Sequence, residues 1–261
     1  MSKTVFFDID GTIWDDDMVI PESTLEAVAD LKANGHLAFI CTGRARASVR
    51  SEKLLIMGFD GIIAACGNYI EMDGKVIYEN DLSADMVQKV IRVLSECKMP
   101  VVLEGSTDYW IDDEGFENDP YVDYLFESLG EHAHIIRGYD GEIRINKFSA
   151  DVIDGTDYER VKAEFADDFL ILEHVENVVE FVPKGTSKAT GIKWLCNHLD
   201  IPLDETYAIG DSVNDLEMLE SVGHGIAMGN SMPPVKEIAE YVTSDISDDG
   251  VKNALKHYGL I

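Results

Sequence analysis

One stretch decides the fold of this chain, residues 4–12, which read Thr4-Val5-Phe6-Phe7-Asp8-Ile9-Asp10-Gly11-Thr12. The first four residues form a short apolar run, which predicts a strand buried on both faces of a sheet. Because the run stops at Asp8, the strand would carry a carboxylate at its carboxyl end. Gly11 then lets the backbone turn sharply.

Strands and helices alternate after this stretch. A capping box at Ser23 and Glu26 and a terminating glycine, Gly35, predict the two ends of a helix. Its predicted apolar stripe consists of Leu25, Val28 and Leu31.

The same alternation continues on both sides of a long central segment. Buried strands are predicted at residues 37–41 and 62–65, a helix at 45–57 between them, and a hairpin at 69–79 that turns at Asp73-Gly74. After Pro183, helices are predicted at 187–199 and 214–220, and strands at 206–209 and 225–228. This order is typical of an α/β fold with a doubly wound, Rossmann-like parallel sheet.

The central segment has a different character. It combines predicted helices with short strands, which indicates an inserted α+β domain with antiparallel pairing. The expected domains are therefore a core at residues 1–81 and 184–261 and an insert at 82–183. The insert's predicted helices lie around residues 87–94, 121–129 and 157–165, and its strands at 101–103, 109–111, 142–147, 170–174 and 178–182.

The charge balance excludes some classes of partner. The chain has 21 Lys and Arg against 50 Asp and Glu, giving a net charge of -29 that repels nucleic acid and anionic membranes. No apolar run reaches the roughly 18 to 20 residues of a membrane span, and no leader pattern is present, so we expect a cytoplasmic protein. The four cysteines are widely spaced and are expected to be reduced packing residues.

Three polar clusters follow predicted strands. Because ligands collect at the carboxyl ends of parallel strands, these clusters are expected to form one site. They are Asp8 with Asp10, Thr42-Gly43-Arg44, and Asp211 with Asn214 and Asp215.

The chemistry of these residues indicates a hard cation and a phosphate. Carboxylates that converge repel one another unless a cation lies between them, and oxygen ligands alone suit Mg²⁺. Zinc is not expected, since His132 and His134 have no third ligand spaced nearby.

Phosphoryl transfer assigns a task to each residue type. Asp8 can attack phosphorus and form an aspartyl-phosphate, while Asp10 can exchange a proton with the leaving-group oxygen. Thr42 and Gly43 are expected to bind phosphate oxygens at a helix N-terminus. Lys184 and Lys188 are the two candidates for the remaining cation, and Lys188 is well placed, since a lysine in the first helical turn favours an anionic partner.

These motifs resemble those of the haloacid dehalogenase-like superfamily, and the insert is similar to its Cof-type, type IIB capped phosphatases. They are Asp8-Ile9-Asp10-Gly11-Thr12, Thr42-Gly43-Arg44, Lys188, Gly210-Asp211-Ser212-Val213-Asn214-Asp215, and Ile226-Ala227-Met228-Gly229-Asn230. One departure is Cys66-Gly67-Asn68, where relatives often have Asn-Gly.

The resemblance implies individual roles. Asp8, the Asp10 carbonyl and Asp211 would bind Mg²⁺, and Asp8 and Asp10 would be the nucleophile and the acid/base. Thr42 and Lys188 would hold the phosphoryl group. Asn214 and Asp215 would orient Lys188 or the metal's waters, and Arg44 completes the second motif.

The expected activity is hydrolysis of small phosphorylated metabolites such as sugar phosphates. A phosphotransferase or phosphomutase is the first alternative, but a mutase needs basic residues in the insert for a second phosphate. Residues 82–183 contain 8 Lys and Arg against 24 Asp and Glu. Arg137, Arg144 and Lys147 are candidates for a basic cluster, but the overall negative charge of this segment opposes one. The second alternative is a non-catalytic regulator that binds a phosphometabolite. The oligomeric state is left open.

Overall fold

The computed structural model describes residues 2–116, 119–174 and 177–261, and the chain folds into two compact units. The first unit contains the chain up to Gly43, Arg50–Tyr78 and Thr186–Ile261. The second contains Arg44–Val49 and Glu79–Gly185, so the predicted insert at 82–183 lies within it. Arg44–Val49 were expected in the core, but the Ala47 N–H donates to the Gly105 carbonyl of the second unit at 3.4 Å.

The elements of the described residues are numbered in chain order. The strands are β1 Thr4–Phe7, β2 Leu37–Cys41, β3 Gly61–Ala64, β4 Tyr69–Met72, β5 Lys75–Glu79, β6 Val101–Glu104, β7 Tyr109–Ile111, β8 Ala133–Ile135, β9 Lys147–Asp151, β10 Phe169–Glu173, β11 Val178–Pro183, β12 Thr206–Gly210, β13 His224–Ala227 and β14 Tyr241–Val242. The helices are α1 Glu22–Ala33, α2 Glu52–Leu55, α3 Ala84–Glu96, α4 Pro120–Leu129, α5 Tyr158–Phe165, α6 Lys188–His198, α7 Leu216–Ser221, α8 Pro233–Ile238 and α9 Gly250–His257.

The first unit is built on one mainly parallel sheet. Its strand order is β14-β13-β12-β1-β2-β3-β4-β5, with β4 antiparallel to β3. Phe7 at the end of β1 pairs with Ile40 of β2 and Ile209 of β12, so the residues after these three strands lie at one edge. The predicted α/β fold is therefore confirmed. The hairpin turn at Asp73-Gly74 is confirmed as well, with both residues in the left-handed region.

The second unit has a six-stranded sheet in the order β10-β11-β9-β6-β7-β8. Its pairs are antiparallel, as predicted, except for β7 and β8, which are parallel and are connected through α4. Side chains of α3 and α5 pack with one face of this sheet in an apolar core. A cluster of phenylalanine rings fills its centre, namely Phe148, Phe165, Phe169 and Phe181.

Two predicted elements of this sequence were wrong. The helix expected at 45–57 is a short 3-10 turn at Arg46–Ser48 followed by α2, because Ala45 is extended and residues 44–49 pack with the second unit. The strand expected at 142–147 begins only at Lys147. The preceding residues contact the segment at 80–82 instead, where the Asn146 side chain donates to the Asn80 carbonyl at 3.1 Å.

The predicted start of α1 was also wrong. The helix begins at Glu22, after Pro21, whose fixed φ suits a helix start, and Pro21 makes no side-chain cap. Ser23 therefore lies inside the first turn. Leu25 is exposed, so the buried stripe is Thr24, Ala27, Val28 and Leu31. Gly35 follows the helix with a positive φ, as the sequence predicts.

The four cysteines are buried free thiols, in agreement with the prediction. Within the described ranges, no helix is long and apolar enough to cross a membrane.

The second unit contains a buried ion cluster. Lys147 forms an ion pair with Glu180 and lies 3.4 Å from Glu104. Burial alone would raise the pKa of Glu180, but Lys147 and then His174 outweigh it and lower that pKa to about 2. The ionised form of Glu180 is therefore favoured in the folded unit.

We expect Lys147→Met to lower the free energy of unfolding by about 3 to 5 kcal/mol, because it leaves buried carboxylates without their cation. Chemical denaturation at neutral pH measures this effect. The matched control is Lys162→Met, since Lys162 lies on the surface beside Glu159 and should leave stability nearly unchanged. Equal stability of the two variants would contradict a stabilising role for the cluster.

Candidate active site

Lys188 lies between two carboxylates at the edge of the first unit's sheet. Its Nζ donates to Asp8 Oδ1 at 2.5 Å and to Asp215 Oδ1 at 2.6 Å. The Lys188 residue is only 2% exposed, and Asp8 and Asp215 are also buried. β1 delivers Asp8, and α6 begins at Lys188, so the buried lysine in the first helical turn has the anionic partners that its position predicts.

Burial and neighbouring charges shift the pKa values of Asp8 and Lys188. Burial, followed by the charge of Asp215, raises the pKa of Asp8 well above its usual value, and Lys188 only partly offsets them. Burial would lower the pKa of Lys188, but Asp215 and Asp8 outweigh it and raise that pKa. Lys188 is therefore held as a cation between two acidic groups.

Asp215 also shapes the loop that carries Asp211. Its Oδ2 accepts the backbone N–H groups of Asp211 at 3.0 Å and Ser212 at 3.1 Å. A Cβ at Gly210 would lie 2.6 Å from the Asp215 carboxyl carbon, so the close packing requires glycine there. One carboxylate thus fixes both Lys188 and the loop after β12.

Asp211 faces the turn after β1. Thr12 is buried and its hydroxyl donates to Asp211 Oδ1 at 3.3 Å. Gly11 has φ +78°, and a Cβ on it would lie 2.4 Å from Asp211 Oδ2. Burial, then the charge of Asp215, raises the pKa of Asp211 to about 7. The absence of a side chain at Gly11 therefore leaves room for the Asp211 carboxyl group, whose ionised form is disfavoured by its surroundings.

The donor set fits a hard divalent cation. Asp8, Asp211 and Asp215 each offer an oxygen, and these atoms lie within 4.8 Å of one another. A set made only of carboxylate oxygens suits Mg²⁺. Burial is the main cause of the raised pKa values of Asp8 and Asp211, and a dication would relieve the carboxylate repulsion that adds to it. The third side chain of this cluster is Asp215, whereas the family resemblance implied that Asp10 binds the metal through its carbonyl.

The segment Thr42-Gly43-Arg44 approaches Asn214, which lies in the loop after β12. Thr42 is buried directly after β2, and a Cβ on Gly43 would lie 3.6 Å from Asn214 Nδ2. Asn214 Oδ1 lies 3.4 Å from Lys188 Nζ and accepts the Ser212 hydroxyl at 2.6 Å. The helix expected to present N–H groups behind Gly43 is missing, since Ala45 is extended. Arg44 belongs to the second unit.

Asp10 is exposed, and the buried Trp14 contacts it. The Trp14 Nε1–H donates to Asp10 Oδ1 at 2.8 Å. In the same turn, Asn230 Nδ2 donates to the Gly11 carbonyl at 2.7 Å, and Asn230 Oδ1 accepts the Ile246 N–H. The side chains of Trp14 and Asn230 therefore fix the turn that follows Asp8.

Sequence reasoning missed the supporting contacts of four residues, namely Thr12, Trp14, Ser212 and Asn230. All four lie within or just beside the sequence motifs, so their position was a signal. Their partners were not, because Thr12 and Asn230 contact residues 199 and 219 positions away in the chain.

The departure at Cys66-Gly67-Asn68 has a structural consequence. Asn68 is buried, and its Nδ2 donates to the Ala65 carbonyl at 2.8 Å and to the Thr186 hydroxyl at 3.0 Å. Cys66 has a positive φ, and its Sγ would lie 3.5 Å from a Cβ on Gly43. This asparagine therefore fixes the turn that precedes β4.

The histidine pair has a partner that the sequence did not reveal. His132 Nδ1 and His134 Nε2 lie 3.2 Å and 3.0 Å from one oxygen of Asp108. In the part of the chain that the structure describes, the aspartate cluster is the one group of three His, Cys, Asp or Glu side chains with such closely spaced ligand atoms.

Comparison with known proteins decides the family. The family model of the haloacid dehalogenase-like hydrolases matches residues 5–255. The chain belongs to this family. The predictions of the family and of an enzyme of its phosphatase type are confirmed.

Individual relatives align over nearly their whole length. YkrA of Bacillus subtilis (strain 168), whose name provisionally describes a phosphatase, is 34% identical over 277 residues, covering 100% of this chain and 99% of YkrA. YitU of the same organism, named 5-amino-6-(5-phospho-D-ribitylamino)uracil phosphatase, is 30% identical, covering 97% and 96%. The solved structure of BT4131, described as a subclass IIB sugar phosphatase of this superfamily, has a TM-score of 0.79, 25% identity and full coverage of both chains.

Proposed function

We propose that this haloacid dehalogenase-like enzyme is a Mg²⁺-dependent phosphatase that hydrolyses small phosphorylated metabolites, sugar phosphates among them, through an aspartyl-phosphate on Asp8. The observation that carries the proposal is the buried contact of Lys188 with Asp8 and Asp215, beside Asp211. The strongly acidic charge supports a free metabolite as substrate, since it disfavours polyanions. We further propose that the enzyme works in the cytoplasm.

In the first half-reaction, an oxygen of Asp8 attacks phosphorus and the bond to the leaving-group oxygen breaks. The electron pair of that bond goes to the leaving oxygen, which takes a proton from Asp10. Lys188 balances the negative charge that gathers around the transferred group, and Thr42 and Gly43 donate to its oxygens. Asp215 and Asn214 keep the Lys188 ammonium aimed at Asp8.

In the second half-reaction, water attacks the phosphorus of the aspartyl-phosphate. Its proton goes to Asp10, and the bond to Asp8 breaks, which restores the Asp8 carboxylate and releases phosphate. Asp10 thereby recovers the proton that it gave to the leaving group. The cycle closes with the side chains of this chain unchanged.

Asp8, Asp211 and the Asp10 carbonyl would hold Mg²⁺, with Asp215 beside them. When bound, the metal neutralises phosphate charge and helps to orient the phosphoryl group. The oxygen-only donor set and the raised pKa values of Asp8 and Asp211 support this assignment.

The candidate basic residues of the second unit are already paired with carboxylates, which favours hydrolysis over a phosphomutase reaction. Arg137 pairs with Asp113 and Glu114, and Arg144 pairs with Asp81. Lys147 pairs with Glu104 and Glu180. Each of the three candidates for a second phosphate site is thus neutralised by its own carboxylates. We propose that the insert, residues 82–183, instead selects the substrate.

Both the ribityl pyrimidine phosphate in the name of YitU and the sugar in the description of BT4131 are polyhydroxylated. A phosphate-release assay on a panel of sugar and polyol phosphates, with Mg²⁺ and with chelator, tests the proposal. Metal-dependent release is the expected result. Transfer of phosphate to a second hydroxyl would favour a phosphotransferase, and tight binding without release would favour a regulator.

The pKa of Asp211 predicts a pH-dependent metal affinity. With a pKa of about 7, Asp211 is protonated below neutral pH in the metal-free protein and must lose that proton to bind a cation. We therefore expect Mg²⁺ to bind about tenfold more weakly at pH 6 than at pH 8. Calorimetric titration checks this, with Asp16→Asn as the control because Asp16 is exposed. Equal affinity at both pH values would contradict the prediction.

A further inference from the structure

Trp14 stands out among the residues around the site because the only polar atom of its side chain donates to Asp10. The indole Nε1–H donates to Asp10 Oδ1 at 2.8 Å, while the Trp14 residue is 3% exposed. Asp10, in contrast, is exposed. The contact holds one oxygen of this exposed carboxylate at a fixed position relative to the indole.

Backbone hydrogen bonds also fix the position of Trp14. Asp10 and Trp14 form an isolated parallel bridge, and the Gly11 N–H donates to the Trp14 carbonyl at 2.9 Å. The Trp14 N–H donates to the Ile9 carbonyl at 3.2 Å. The indole is therefore held by the same turn that carries Asp10, so the two side chains keep their register.

The direction of this hydrogen bond carries chemical information. An indole N–H donates and cannot accept, so Asp10 Oδ1 must be the acceptor. A proton on the Asp10 carboxyl group is therefore favoured on Oδ2, because the unprotonated oxygen of a carboxylic acid is the better acceptor. The contact both orients the carboxyl plane and distinguishes its two oxygens.

We propose that Trp14 is a positioning residue that aims Asp10 for proton transfer through Oδ2. The inference rests on the proposed function, in which Asp10 is the acid/base. When the phosphorus–oxygen bond breaks, the leaving oxygen receives the electron pair and takes the proton from Oδ2. Asp10 is left as a carboxylate whose Oδ1 still accepts from the indole. In the second half-reaction, the attacking water returns a proton to Oδ2.

A positioning role makes a prediction about leaving groups. An alkyl phosphate releases a strongly basic alkoxide and needs the proton, whereas 4-nitrophenyl phosphate releases a stable phenolate and does not. We expect Trp14→Phe to lower kcat/KM for the alkyl phosphate by about 10- to 100-fold, but for 4-nitrophenyl phosphate by less than about threefold. A residue that only supported the fold would affect both substrates alike.

Trp194→Phe is the matched control. Trp194 lies in α6 of the same unit and stacks on His198, so its replacement also removes one indole. We expect the ratio of the two kcat/KM values to stay at the wild-type value in this variant. An equal fall for both substrates in Trp14→Phe would overturn the proposal.

A second measurement is independent of turnover. The Trp14 indole proton, assigned by its absence in the Trp14→Phe spectrum, should shift upfield and exchange faster with water in Asp10→Ala. Asp16→Ala should leave it unchanged. An unaltered indole resonance in Asp10→Ala would overturn the contact itself. If the wild-type enzyme released no phosphate, the proposed function would fail while this measurement still decided whether Trp14 holds Asp10.

Discussion

Asp8→Asn is expected to lower kcat for phosphate release by about 10⁴-fold or more, because a carboxamide cannot act as the attacking nucleophile. The variant should still fold. Asparagine has nearly the same shape as aspartate, and burial already disfavours the charged form of Asp8, as its raised pKa indicates. The loss would therefore report chemistry rather than unfolding.

Two measurements separate the nucleophile from a merely nearby carboxylate. The first is phosphate release at saturating substrate, and the second is transfer of labelled phosphate from substrate to the wild-type protein. Label bound through a base-labile acyl phosphate, and absent from Asp8→Asn, is the expected result. Asp16→Asn is the control, since it makes the same change at an exposed position of the same segment. Wild-type turnover by Asp8→Asn would refute the nucleophile assignment.

Local sequence patterns were sufficient to predict the strands that position the candidate active site. The run Val5-Phe6-Phe7 predicts a buried strand because a central parallel strand is covered on both faces, and β1 is buried throughout. The apolar runs of β2 and β12 likewise end at Cys41 and Gly210, and polar residues follow them at the same edge of the sheet as Asp8. For this reason the sequence predicts that Asp8, Thr42 and Asp211 follow neighbouring strands of one sheet.

Local patterns failed where long-range packing overrides propensity. Residues 45–57 have the composition of a helix, but Arg44–Val49 pack with the second unit and Ala45 is extended. At residues 142–146, the Asn146 side chain bonds to Asp81 at 3.0 Å. That contact replaces the predicted strand and joins residues 65 positions apart, so no neighbouring residue indicates it.

The same limit applies to the site. Lys188 and Asp215 could be singled out as residues, but the shared hydrogen bonds that place Lys188 between Asp8 and Asp215 depend on the folded sheet. The indole of Trp14 is a clearer case. Its residue type predicts a buried ring, and only the turn after β1 shows that its N–H faces Asp10.

Lys188→Met is expected to have two large effects with one physical cause. It removes the cation between two buried carboxylates, which should lower the free energy of unfolding of the metal-free protein by about 3 to 5 kcal/mol. It should also lower kcat/KM by about 10³-fold, because the charge of the transferred phosphoryl group loses its stabilising partner. Denaturant unfolding and steady-state kinetics measure the two effects.

Lys184→Met is the control that isolates the buried charge. Lys184 lies four residues earlier and is exposed, so the same substitution there should change neither quantity appreciably. The pH dependence of the Lys188→Met defect gives a further check. Lys188 now lowers the pKa of Asp8, so its removal raises that pKa further, and protonation of Asp8 then relieves the repulsion as pH falls. The stability gap to wild type should therefore narrow in acid, whereas a gap that widened there would show that the two carboxylates are not what Lys188 neutralises.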